Sequence, residues 1–209
     1  MALNVLMGVY VLTPFAAPLL MHAGWAAQAR VIYSVYSTQC HQLPQRSYFL
    51  FGERLTYSLV DINAARGSDT VITLRDFIGN ERMGYKVAWS DRMISLYTSV
   101  WVGGLLYALL RRRLRPLPLA LTAVLLLPII LDGGTHFIAD LQRFGQGFRD
   151  SNEWLRILTD ATLPSSFYAG DGWSSFNSIM RLGTGALAGV AFAWAIMPRI
   201  DKLISNDIR

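Results

Sequence analysis

Cys40-His41-Gln42, followed by Pro44, Arg46 and Ser47, gathers a soft thiol, an imidazole and a guanidinium in one short stretch. Such a set can ligate a transition metal, arm a thiol nucleophile, or hold an anionic head group through Arg46. Neighbouring helical residues point about 100° apart, so Cys40 and His41 share one ion only on an irregular backbone. The plainer reading of a lone cysteine is inert packing.

Asp132 and His136 stand at i and i+4 after a long apolar run. If the helix continues through Gly133-Gly134 they share a face, and the aspartate can fix the imidazole tautomer as in a catalytic dyad or an outer metal shell. The alternative is that Gly-Gly ends the helix, with Asp132 at its end and His136 solvated. Asn177 and Arg181 repeat the spacing at the start of the last apolar run, with Ser175 just before them. An arginine at membrane depth calls for a counter-ion, and Asp132 or Asp91 is the natural one; Arg92 adjoins the latter. A snorkelling Arg181 is the competing reading.

These residues need elements to hold them. The chain has 209 residues, of which 53% are apolar and only 16% charged, against about 25% charge in an ordinary soluble domain. Its net charge of +5 lies beside apolar runs rather than in a basic stripe, which argues against nucleic acid as a partner and for membrane lipid. A single cysteine excludes an internal disulfide and a four-cysteine metal centre. No basic n-region precedes Val5–Met21, so an uncleaved first span is preferred over a signal peptide.

Four runs can cross a hydrocarbon core of roughly 30 Å: residues 3–21, 93–110, 117–137 and 179–197. Pro14 and Pro18 predict an irregular first span, and Pro128 a kink in the third. The expected fold class is therefore all-α: a single polytopic membrane bundle over 1–209, with about four transmembrane helices plus interfacial helices. Arg111-Arg112-Arg113-Leu114-Arg115 in a short loop, and Arg199 and Lys202 after the last run, place both termini in the cytoplasm of a cell-membrane protein. Segments 22–92 and 138–178 then lie outside, with Trp25, Trp89 and Trp173 as an aromatic belt. All three histidines and Cys40 fall on that outer side.

Within the outer segments, 27–60 reads as two helices broken at Pro44 that lie in the interface or dip into the bundle, with a fifth crossing ranked second because it would spoil the charge parity. Residues 63–84 read as an exposed loop around a short helix containing the turn Gly67-Ser68-Asp69. Residues 151–158 read as a short surface helix capped by Ser151. Gly185-xxx-Gly189 and Gly103-Gly104 are positions for close helix packing.

Cys40-His41-Gln42-xxx-Arg46-Ser47, Asp132-Gly133, and Ser175-x-Asn177-xxx-Arg181-xx-Thr184-Gly185 together resemble the ordered motifs of domain-of-unknown-function family 2085, a group of predicted integral membrane proteins. The family pattern has Cys-x-Arg-Cys where this chain has Ser90-Asp91-Arg92-Met93, keeping the arginine and losing both thiols. A tetrahedral metal or redox centre, which the family's cysteines and histidine invite, here loses half its ligands. His136 stands where glutamine is expected.

These readings converge on a non-catalytic integral membrane component, whose outer polar cluster binds a partner subunit, a lipid head group or a cofactor. The cluster comprises Cys40, His41, Gln42, Arg46, Ser47, Asp91, Arg92, Asp132, His136, Ser175, Asn177 and Arg181, with no structural metal. The alternative is a membrane hydrolase or transferase acting on a lipid-linked substrate, with His41 or His136 as base, Asp132 as orienter and Arg46, Arg92 and Arg181 holding phosphate. A transporter ranks third, since no inverted repeat is visible. The residue pattern names no catalytic residue, cofactor or specific partner.

Overall fold

The computed structural model describes residues 2–67, 71–110 and 114–207. The triple arginine at 111–113 and the Ser68-Asp69 turn lie outside the described residues. Nine helices occur among those described: α1 (Ala2–His22), α2 (Ala26–Tyr36), α3 (Leu59–Arg66), α4 (Asp91–Leu110), α5 (Leu119–Arg143), α6 (Phe148–Ser151), α7 (Glu153–Leu158), α8 (Ser165–Tyr168) and α9 (Phe176–Asp207). Four of them, α1, α4, α5 and α9, are long and apolar enough to cross a membrane, as the apolar runs require. α1 runs as one helix through Pro14 and Pro18, so the irregular first span that the prolines predict is not seen as a break. α5 likewise continues through Pro128 and Gly133-Gly134.

The fold is mostly helical but not all-α. A three-stranded antiparallel sheet of order β1-β3-β2 joins β1 (Ser47–Leu50), β2 (Gly79–Asn80) and β3 (Gly84–Ser90). Only the first of the two helices expected over 27–60 exists. The second is replaced by a short 3-10 turn at Pro44–Arg46 and then by β1, whose Tyr48 and Phe49 suit a pleated surface buried on one face. Among the described residues of 63–84 the chain is not simply an exposed loop, because Leu74 and Met83 are core residues. The helix there starts earlier, at Leu59, where Ser58 and Asp61 form a reciprocal capping box.

Packing divides the chain into two compact units. The first comprises Met1–Val11, Arg92–Asp132 and Arg181–Arg209. Its α4 and α9 segments meet at small residues. A Cβ added to Gly189 would collide with the Leu96 carbonyl, and one on Gly103 would lie 2.6 Å from Ala193 Cβ. Asn4 ties the α1 segment to α4 by donating to the Gly104 carbonyl (3.1 Å) and accepting from the Trp101 indole at its own carbonyl (3.0 Å). Leu106, Leu109, Val124 and Ile130 remain exposed, which suits a lipid solvent and would be costly in water.

The second unit comprises Leu12–Asp91 and Gly133–Met180. Phe49, Tyr57, Ile62, Leu74 and Met83 form its apolar core. Trp89 is fully buried, with Tyr36 edge-on at 5.3 Å, and so is a core residue rather than a member of an aromatic belt; Trp25 and Trp173 are exposed. Asn152, not Ser151, precedes the helix that contains Glu153.

Candidate functional site

The end of α2 hands the chain to an irregular turn in which Gln42 takes φ 51°, a left-handed value that separates the side chains of the first motif. Cys40 is buried; its thiol donates to Ser90 Oγ at 3.5 Å and its sulfur accepts the Gln42 N–H at 3.3 Å. His41 points outward and is exposed. Gln42 donates through Nε2 to the Tyr33 carbonyl at 2.8 Å. Its own carbonyl accepts Lys86 Nζ at 2.7 Å, and the same ammonium bonds the Arg75 carbonyl at 2.6 Å. Lys86 is 0% exposed. Burial lowers its pKa to about 7, against the raising influence of Cys40 and Asp76, with Arg75 adding to the lowering.

Arg46 reaches two carboxylates. Nη1 and Nη2 donate to the two oxygens of Asp140, each at 2.8 Å, and Nε donates to Asp171 at 2.9 Å. Burial opposes the guanidinium's charge, but Asp171 and Asp140 outweigh it and raise the pKa. Arg46 is thus committed to an internal fork rather than presented to an anion. Ser47 Oγ donates to the Leu43 carbonyl at 3.0 Å. Asp150 completes this acidic surround; burial first, then Asp171 and Asp140, raise its pKa, while the Gly147 N–H and Arg46 lower it. Gln45, Arg46, Asp150, Asp171 and Trp173 line a cleft of about 430 Å³.

His136 Nε2 lies 3.1 Å from Arg149 Nη2. Arginine can only donate, so that nitrogen accepts and the imidazole proton sits on Nδ1. Asn177 donates to the Arg149 carbonyl (2.7 Å) and the Gly170 carbonyl (3.0 Å), and accepts from Asn152, which also holds the Arg149 and Tyr168 carbonyls. Ser175 caps α9 by accepting the Ser178 N–H at 3.2 Å. Ser178 Oγ is 3.5 Å from Asp91.

In the first unit, Asp132 takes Arg92 as counter-ion at 2.7 Å, with Thr184 Oγ1 at 3.5 Å. Arg181 is buried and its carbonyl accepts Ser95 Oγ at 3.4 Å. Asp132 and His136 therefore lie on one continuous helix, as the i, i+4 spacing requires, with Arg92 and Arg149 as respective partners.

Residue spacing had not singled out Gln45, Lys86, Asp140, Arg149, Asp150, Asn152 or Asp171. One signal for Asp140 was available, since it extends the Asp132 and His136 series by a further four residues. Among the described residues, no group of at least three His, Cys, Asp or Glu gathers at metal-binding spacing.

Residues 82–195 match the model of a predicted membrane protein family, DUF2085. The match includes Ser90-Asp91-Arg92-Met93, Asp132-Gly133 and the Ser175 to Gly185 motif, and leaves Cys40-His41-Gln42 outside. An uncharacterized protein of Methanocaldococcus jannaschii is 26% identical over 159 residues, covering 72% of this chain and 76% of that protein. No solved structure matches the chain. With more than half its length matched, from the last strand through most of the last span, the chain belongs to the predicted membrane protein family DUF2085.

Proposed function

We propose that the protein is a non-catalytic, multi-pass component of the cell membrane, with both termini cytoplasmic, whose second unit binds a ligand or partner rather than transforming one. The observation that carries this reading is the Arg46 fork. The motif arginine is held by Asp140 and Asp171 in the wall of an open cleft, and so shapes a recess without offering a reactive group. The other motif side chains support it. Gln42 and Asn177 are tied to backbone carbonyls, and the His136 Nε2 lone pair that a general base would use faces Arg149.

Gentle extraction from native membrane followed by native mass spectrometry tests the proposal. A stoichiometric companion, small molecule or subunit, is expected. Turnover of a lipid-linked substrate that is lost on His136→Ala with the fold intact would replace this reading with the hydrolase or transferase one.

A further inference from the structure

We infer that the recess beside α2, lined by Arg30, Ser34, Ser37 and Arg75, binds a phosphate group. It shares no lining residue with the Arg46 cleft, so the inference goes beyond the reading above and stands or falls apart from it.

The three faces of α2 are the first observation. One face, Ala29, Tyr33 and Tyr36, is buried. A second, Arg30, Ser34 and then Ser37 just past the helix, borders the recess, which has a volume of about 480 Å³. The third carries Val31 and Val35 one turn apart, 62% and 54% exposed. A helix facing water would place polar groups there, whereas valines beside an arginine and serines suit the boundary between acyl chains and head groups. The chain puts α2 at such a boundary. α1, long and apolar enough to cross a membrane, ends at His22, and the Trp25 N–H turns back onto the Leu20 carbonyl at 2.8 Å, so α2 starts directly at the end of a span. Trp25 is exposed at that turn, as an interfacial anchor is.

The charges are the second, independent observation. Arg30 comes from α2 and Arg75 from the 3-10 turn Val71–Asp76, and neither forms an ion pair among the described residues. The Arg75 guanidinium makes one long bond, from Nη2 to the Ser37 carbonyl at 3.5 Å. Asp76 is the single carboxylate lining the recess, so one positive charge is left over. Behind the wall formed by Tyr33 and Gln42, the buried Lys86 ammonium bonds the Gln42 and Arg75 carbonyls and adds to the positive potential. Guanidinium forks pair with oxyanions through parallel N–H bonds, and the exposed Ser34 hydroxyl can donate a further one. The tetrahedral oxygens of a phosphate suit donors arriving from two separate elements, while a carboxylate offers two oxygens in one plane. The valine face assigns the phosphate to a phospholipid, whose acyl chains would cover Val31 and Val35, ahead of a soluble phosphate.

The full-length protein in dodecyl maltoside is titrated with phosphatidylglycerol and with diacylglycerol of the same chains, and retention is read by native mass spectrometry; soluble glycerophosphate is followed by melting temperature. Phosphatidylglycerol should be retained, and diacylglycerol, which lacks the phosphate, should not. Arg30→Gln and Arg75→Gln should each weaken retention about tenfold, since each removes a charge-assisted contact, and Asp76→Asn should strengthen it. Arg156→Gln removes an equal charge outside the recess and should have no effect. These four side chains are exposed, so the variants should fold. Val31→Asn with Val35→Asn should weaken lipid retention, which identifies a lipid source. A glycerophosphate response that needs both arginines, with no lipid retained, identifies a soluble one. No binding of either phosphate, equal retention of diacylglycerol, indifference to both arginines, or oleate held in preference to phosphatidylglycerol overturns the inference. A different stoichiometric companion recovered alongside such a negative result would leave the broader binding reading standing.

Discussion

Cys40 Sγ lies 3.5 Å from Ser90 Oγ, so the first motif of the chain touches the position where the family pattern carries the first thiol of Cys-x-Arg-Cys. Two sulfurs at these positions would be within bonding reach after a small rotamer change. Ser90→Cys should therefore cross-link to Cys40 under mild oxidant, leaving no titratable thiol in denatured protein. Two titratable thiols after oxidation would show that the two side chains do not meet.

The same contact bears on metal content. Cys40 is engaged by Ser90 and Gln42, and the adjacent His41 is exposed, so one thiol stands without a converging set of zinc ligands. Protein extracted without chelator should hold no stoichiometric zinc by elemental analysis. One zinc per chain, lost on Cys40→Ser, would overturn this.

Lys86 predicts a pH dependence of stability. Its folded pKa is about 7 and its ordinary value 10.5, so between these limits the unfolded chain binds a proton that the folded chain has released. Stability should rise with pH through that window and lose this dependence below about pH 7, at up to ~1.4 kcal/mol per pH unit. Denaturant unfolding at pH 6.5 and 9 should show the rise in the native protein. Lys86→Met should flatten it, although that variant also strands the Gln42 and Arg75 carbonyls. An unchanged slope in the variant would assign the dependence to another group.

Arg46 should be coupled strongly to its carboxylates. Arg46→Met removes the cation that Asp140 and Asp171 share and should cost about 3–5 kcal/mol, whereas adding Asp171→Asn should recover part of the loss. Arg46→Lys keeps the charge but cannot bridge both carboxylates, and should fall between. Strictly additive losses in the double variant would remove the proposed coupling.

The proposed orientation is tested by labelling. His41→Cys creates an exposed thiol, and the native Cys40 is buried, so an impermeant reagent should modify the variant from outside the cell. A cysteine replacing Arg113 should react only from the cytoplasmic side. Labelling of that position from outside would invert the topology.

The sequence by itself determined the four helices long and apolar enough to cross a membrane, because length and apolarity of contiguous residues are local properties. It also revealed the small-residue contact at Gly189, since only a missing side chain admits a neighbouring backbone. The i, i+4 phase of Asp132 and His136 was legible as helical geometry once α5 continued through Gly133-Gly134.

Only the tertiary structure decided which polar groups meet. β1 and β3 pair across a long stretch of intervening chain, and strands this short carry little periodic signal of their own. That pairing sets Ser47 opposite Ser90 and Phe49 opposite Lys86, which brings Lys86 into a buried position that nothing local announced. The partners of Arg46 come from α5 and from the segment before α9, so no spacing along the chain could nominate Asp140 and Asp171 together. Buried charges choose partners by proximity in space, since desolvation penalises any that stay unmatched, and proximity in space is settled only when the distant segments pack.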